Sequence, residues 1–188
     1  MTSEMRYTID PVTWARECLK FEADEWQARV LETDNNLLLN ICRQGGKSTT
    51  CALVALHRAV YYQRSLILCL SPSLRQSGEL FRKIMDFRAQ LTNPPKLTED
   101  NKLSCMLSNG SRIVVLPGTE KTVRGYSGVD LIIVDEAARI PDELYYSVRP
   151  MLAVSGGRMI MLSTPFGRRG AFFQAYVNGG VEAWERIE

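Results

Sequence analysis

The sequence predicts an α/β fold, a mostly parallel sheet flanked by helices on both faces with one antiparallel hairpin inserted. Three observations predict it. Short, predominantly apolar runs recur at Leu37 to Ile41, Ser65 to Leu70, Asp130 to Val134 and Arg158 to Leu162, as strands buried on both faces require. Stretches with helical spacing separate them. Asn109-Gly110 joins two alternating runs, and that dipeptide is a strong hairpin signal.

In chain order, Asp10-Pro11 reads as an N-cap with proline at the first helical position, opening a helix to about Leu19. A second helix covers Asp24 to Leu31. The strand from Leu37 leads through a Gly pair into a helix from Lys47 to about Tyr62. Ser71-Pro72-Ser73 closes the next strand, and helical spacing resumes over Leu74, Leu80, Phe81, Ile84, Phe87 and Leu91. Thr92 to Asn101, with Pro94-Pro95 inside, reads as a loop. Leu103, Cys105 and Leu107 then alternate with polar residues, and Ser111 to Leu116 returns as the second hairpin strand. Pro141 to Leu152 reads as a helix between the last two apolar strands. Trp184 to Glu188 looks like a strand beginning, which suggests a chain cut from something longer.

Composition bounds the function. The 188 residues fit one domain able to bury roughly 70% of its unfolded surface without disulfides or metals. Hydrophobic residues at 45% and charged residues at 23% exclude disorder and fibres. Lys+Arg total 23 against 21 Asp+Glu, so bulk charge identifies no nucleic-acid partner, though a local basic patch stays possible. Five cysteines without a C-x-x-C pair argue against structural zinc or a disulfide framework and for a reducing interior. No apolar run approaches the ~18 residues of a membrane span. The expectation is a soluble intracellular domain.

Four segments carry chemistry. Cys42-Arg43-Gln44-Gly45-Gly46-Lys47-Ser48-Thr49, between a strand and a helix, has the context of a phosphate-binding loop. Glycines let backbone N–H groups curl around phosphates, and the helix N-terminus adds its positive end. Lys47 would reach the β- and γ-phosphates and Ser48 would complete a Mg²⁺ shell. The pattern wants Gly where Ile41 stands, and a Gly-rich turn before a helix is the bland alternative. Second, Leu131 to Glu136 is an apolar strand ending in two carboxylates, where ligands sit in open α/β sheets. Asp135 would hold Mg²⁺ through water and Glu136 would orient and deprotonate a water, the alternative being solvated punctuation. Third, Ser163-Thr164-Pro165 closes the next strand and places a hydroxyl beside the γ-phosphate, or is an ordinary turn. Fourth, in Phe21 to Gln27 the Gln27 amide could pair an adenine edge and Trp26 could stack on the base, unless Trp26 is simply core.

Trp26-Gln27, the Arg-containing loop Cys42 to Ser48, Ile133 to Ala138 and Leu162 to Pro165 together resemble the ATPase domain of phage large terminase subunits, over roughly Phe21 to Tyr176. The resemblance implies a P-loop NTPase of the additional-strand catalytic-Glu (RecA-like) type, with residues 1–188 as one domain. Residues 1–35 would be an N-terminal helical segment with the adenine motif and 36–180 the core, without the nuclease domain. It implies ATP hydrolysis with Mg²⁺ powering translocation of double-stranded DNA into a procapsid. Trp26 and Gln27 would bind adenine; Arg43, Gln44, Gly45, Gly46, Lys47, Ser48, Thr49 and Thr164 would contact nucleotide. Ser48 and Asp135 would hold the metal. Glu136 would be the catalytic base, Arg43 would respond to the γ-phosphate, and Arg124 would be an arginine finger acting on a neighbouring subunit. Cys42 departs from the small residue usual there. Implied partners are DNA, portal protein and procapsid, the small terminase subunit and further copies in a ring, in the host cytoplasm and with no membrane. A helicase-type ATPase and a non-hydrolysing nucleotide switch remain the alternatives; a small-molecule kinase would not need Glu136. Arg75, Arg82, Lys83 and Arg88 read as a solvated helix face or a DNA contact, Arg168-Arg169 as a DNA or subunit contact, and His57 as structural.

Overall fold

The computed structural model describes residues 3–118, 123, 125–179 and 183–188. In chain order, α1 (Ser3–Ile9), α2 (Pro11–Leu19) and α3 (Glu25–Glu32) precede β1 (Leu37–Asn40) and α4 (Lys47–Tyr61). Then come β2 (Leu66–Ser71), α5 (Leu74–Gln90), β3 (Leu97–Asp100), β4 (Ser104–Leu107) and β5 (Arg112–Pro117). The rest is β6 (Leu131–Asp135), α6 (Asp142–Val148), β7 (Arg158–Ser163), α7 (Gly170–Asn178) and β8 (Glu185–Ile187). Among the described residues no helix is long and apolar enough to cross a membrane.

The eight strands form one sheet in the order β3-β4-β5-β2-β6-β7-β1-β8. All neighbours from β5 to β8 are parallel, and β3-β4 and β4-β5 are antiparallel. The uniform hydrophobicity of the central strands follows from burial on both faces. Leu37 and Leu39 of β1 and Leu131 and Ile133 of β6 join the core under α2 to α5, with Trp14, Leu53, Leu56 and Ile84. Leu38, Ile132 and Val134, one residue out of phase, join a second core with Leu144, Val148 and Phe172. The functional loops therefore leave a sheet clamped on both sides.

Local chemistry sets the helix ends. The Asp10 carboxylate accepts the Thr13 N–H at 2.8 Å; the Thr13 side chain and then this backbone bond hold its carboxyl below the usual range. Ser73 caps α5 by accepting from the Gln76 N–H at 3.3 Å. Gly157, before β7, admits no side chain: a Cβ there would lie 2.3 Å from the Val129 carbonyl oxygen.

Three elements differ from the sequence expectation. The expected loop from Thr92 to Asn101 contains β3, an exposed edge strand. Its polar Thr98, Glu99 and Asp100 give no apolar alternation, and its pairing comes from backbone bonds to β4. The hairpin is thus extended to three antiparallel strands. The helix expected from Pro141 to Leu152 is α-helical only to Val148; Pro150 has no N–H to continue the ladder, and Arg149–Leu152 tightens to a 3-10 turn. Helices α1 and α7 carried no recognised start signal. Helix α1 is held by tertiary bonds, with Arg6 and the Tyr7 hydroxyl both on Glu17.

His57 is structural. It is 8% exposed on α4, with its Nε2 donating to the Tyr7 carbonyl at 2.8 Å and its ring against Trp14 and Tyr61. Burial pushes its pKa down against the bond to the Tyr7 carbonyl, which raises it; Arg158 and Arg58 add to the lowering and Asp34 opposes it. A base depressed in the folded state contributes stability that is full above the unfolded value of about 6.5 and is lost as pH falls through the lower folded value. Thermal melts from pH 7.5 to 5.5 are therefore expected to lose more stability in the wild type than in His57→Gln, which keeps a donor without the titration. Identical pH slopes would contradict this.

Candidate active site

The carboxyl ends of β1, β6 and β7 meet because these strands are neighbours in register, with Asn40 opposite Ser163 and Asp135 opposite Leu162. Around their exits lies a cleft of about 640 Å³. Arg43, Gln44, Gly45, Gly46, Lys47, Ser48 and Thr49 line one side, and Gln76, Lys83, Glu136 and Arg139 line the other.

The loop between β1 and α4 turns on two left-handed residues, Gln44 (φ 63°) and Gly46 (φ 83°). Both glycines are constrained: at Gly45 a Cβ would stand 2.7 Å from Ile41 Cγ2, and Gly46 has a φ of 83° that side chains rarely adopt. The backbone is thus bare where an anion would approach, at the start of a 15-residue helix. Lys47 is buried and curls back onto its own loop, donating from Nζ to the carbonyls of Ile41 at 2.7 Å and Cys42 at 2.6 Å. Arg43 is exposed at the mouth. The Thr49 hydroxyl accepts from Lys83 Nζ at 3.4 Å.

Across the cleft, the Ser48 hydroxyl donates to Asp135 Oδ2 at 3.2 Å. The other Asp135 oxygen accepts the Glu136 N–H at 2.9 Å. Burial raises the Asp135 pKa, and the neighbouring Glu136 charge adds to it; the Ser48 and Glu136 bonds and Lys47 pull it back. The fit to a divalent cation rests on this donor set. A hydroxyl and a carboxylate, both hard oxygen ligands, stand 3.2 Å apart on facing elements. Mg²⁺ would be held by Ser48 and Asp135.

Glu136 has left-handed backbone (φ 50°, ψ 43°) and caps the short 3-10 turn Ala137–Arg139. A non-glycine residue there is strained, and such strain concentrates at functional sites. Its Oε2 lies 3.4 Å from Ser163 Oγ, 3.5 Å from Thr164 Oγ1 and 3.6 Å from Arg139 Nε. Ser163 has one hydroxyl proton, and the Thr164 carbonyl at 2.9 Å is the nearer acceptor. The sequence-expected segments at β1, β6 and β7 thus converge.

Among the expected residues, Trp26, Gln27, Asp135 and Thr164 are not part of the cleft lining; Asp135 and Thr164 stand behind it, against Ser48 and Glu136. Gln27 is buried, with Oε1 accepting the Asp24 N–H at 2.9 Å in a capping box, and its Nε2 faces Gly46. Trp26 packs partly against the core and reaches the same glycine. Arg124 lies outside the described residues. Sequence reasoning missed three lining residues, Gln76, Lys83 and Arg139. Lys83 reads as one of four cations on a helix, and only α5 packing against α4 distinguishes it. Arg139, three residues past Glu136, could have been found from the i, i+3 spacing once that turn was known.

Solved structures that the protein resembles include three phage large terminases. A mutant of the Thermus phage P74-26 large terminase ATPase domain is 19% identical over 88% of this chain and 74% of that one, with a TM-score of 0.78. The large terminase of bacteriophage HK97 is 17% identical over 96% of this chain, with a TM-score of 0.75, and this chain spans 42% of it. A large terminase from another, thermophilic bacteriophage, in complex with ADP, is 11% identical over 100% of this chain and 45% of that one, with a TM-score of 0.64. At these identities the likeness establishes the fold, the RecA-like core expected from the sequence. The family described as terminase large subunit, T4likevirus-type, N-terminal, matches residues 38–186. The chain belongs to that family.

Proposed function

We propose that this domain hydrolyses ATP to ADP and phosphate with Mg²⁺, as the motor that translocates double-stranded viral DNA into a procapsid. Family membership supports the packaging role, and the ADP complex of the thermophilic-phage terminase supports a nucleotide ligand. The observation that carries the chemistry is the 3.2 Å contact between Ser48 and Asp135, which ties the glycine loop to the carboxylate strand beside Glu136.

In this reading the bare N–H groups of Gly45 to Ser48 bind the β- and γ-phosphates, and Lys47 trades its loop carbonyls for phosphate oxygens. Mg²⁺ supplies neutralisation of charge on those oxygens when bound. Glu136 accepts a proton from the attacking water, and the Thr164 hydroxyl orients its carboxylate. Arg43 at the mouth answers the γ-phosphate, Thr49 braces the helix entry against Lys83, and Gln27 with Trp26 meets the base beyond Gly46. Arg124 would serve a neighbouring subunit's nucleotide. The wider partners we propose are the portal, procapsid, small terminase subunit and sister copies, in the host cytoplasm; family membership supports this reading.

Phosphate release from ATP is expected to require Mg²⁺. EDTA should reduce it to the level of the Asp135→Asn variant, and added Mg²⁺ should restore it. Turnover unchanged in EDTA would rule out the metal site at Ser48 and Asp135.

A further inference from the structure

We propose that Arg139 is a positioning residue for the Glu136 carboxylate, clamped in place by the face of Phe166. The inference rests on the reading of Glu136 as the water-activating base and extends it to residues that reading does not use.

Three features converge. First, the 3-10 turn from Ala137 to Arg139 places Arg139 over Glu136: residues three apart eclipse in such a turn, and the Arg139 N–H closes it on the Glu136 carbonyl at 2.8 Å. The Arg139 Nε then stands 3.6 Å from Glu136 Oε2, and Arg139 lines the same cleft as the phosphate loop. Second, the guanidinium also packs on an aromatic face. Its central carbon sits 4.1 Å from the centroid of the Phe166 ring, within cation–π range. Phe166 is itself on the bend after Ser163-Thr164-Pro165, where Gly167 has φ 78°. One cation therefore spans the loop after β6 and the loop after β7.

Third, the carboxylate depends on weak partners. Among the described residues its remaining contacts are the Thr164 hydroxyl at 3.5 Å and the Ser163 hydroxyl at 3.4 Å, whose proton has the nearer Thr164 carbonyl as acceptor; both are on Oε2 and near the limit of a hydrogen bond. Among the described residues, Oε1 has no hydrogen-bond partner. A base held by one oxygen keeps the other for a water, but only if the holding side is fixed. Strained backbone at Glu136 sets the direction of departure, and Arg139 supplies the charged contact that decides where the carboxylate stands. Arg58 also pairs with a carboxylate and stacks on a ring, Tyr62, but Arg139 alone of the two lines the cleft.

The test compares ATP turnover of the wild type with Arg139→Ala, Arg139→Lys, Phe166→Leu and the Arg139→Ala/Phe166→Leu double variant, all checked by thermal melting. Because both side chains are partly exposed, the substitutions should leave the fold intact. Arg139→Ala is expected to lower kcat by about 10- to 100-fold, the scale of a misplaced catalytic group, with KM and affinity for a non-hydrolysable ATP analogue nearly unchanged. Phe166→Leu should lower kcat in the same direction by less, and the double variant should be no worse than Arg139→Ala alone, because the clamp acts through the arginine. Arg139→Lys, which keeps charge without the planar stack, should recover part of the loss. An Arg139→Ala kcat equal to or above wild type, while Glu136→Gln is inactive, overturns the proposal. So does loss of analogue affinity in step with kcat, which would put Arg139 on the nucleotide. An active Glu136→Gln would instead overturn the reading of Glu136 itself.

Discussion

Replacing Glu136 with Gln is expected to leave ATP binding intact and to reduce turnover by about 10²- to 10⁴-fold, the range for loss of a general base. The separation of effects follows from the architecture. The phosphate-facing groups come from the β1–α4 loop, whose shape is set by the two left-handed positions and the bonds of Lys47. Glu136 comes from β6, and its contacts run to β7 and to the next turn. Gln keeps the size of the side chain and its ability to accept from Thr164, while its amide cannot take a proton from water. The check is analogue affinity and phosphate release on the same preparation. Near-wild-type release would remove Glu136 from the role of base.

Lys47→Ala should do the reverse and weaken nucleotide binding first. A charge-assisted contact contributes about 1.5–3 kcal/mol, which is about 10- to 150-fold in affinity. The structure adds a second consequence that the sequence did not suggest. Lys47 also braces the loop from inside through the Ile41 and Cys42 carbonyls. Removing it leaves two carbonyl oxygens without that donor, so the loop should become more mobile as well as less attractive to phosphate. Titration calorimetry with an ATP analogue reads the affinity, and amide exchange over residues 41–46 reads the loosening. Wild-type affinity in the variant would place Lys47 away from the phosphates.

Most of the sheet was legible because its strands are buried on both faces and read as apolar runs with glycine or proline punctuation. The site segments were legible for a related reason: each sits where such a run stops, at Ile41, Asp135 and Ser163. What escaped was structure written by long-range contact. Strand β3 has polar residues and exists through its partner β4. Helix α1 is tied down by Glu17 and His57, neither of which its own sequence announces. The Lys47 brace and the Gln27 capping box use atoms whose targets are backbone groups, which no residue pattern identifies. Arg139 escaped because the sequence does not show that Glu136 turns left-handed and swings the next residues into a 3-10 turn over its own side chain.

The most direct test of the central claim is a crystal structure of the protein with a non-hydrolysable ATP analogue and Mg²⁺. The account predicts phosphates over Gly45 to Ser48, Lys47 Nζ moved from the Ile41 and Cys42 carbonyls onto phosphate oxygen, and the cation between Ser48 and Asp135 with Glu136 facing the γ-phosphate. A nucleotide bound elsewhere, or Lys47 still folded on its loop beneath an occupied site, would contradict it.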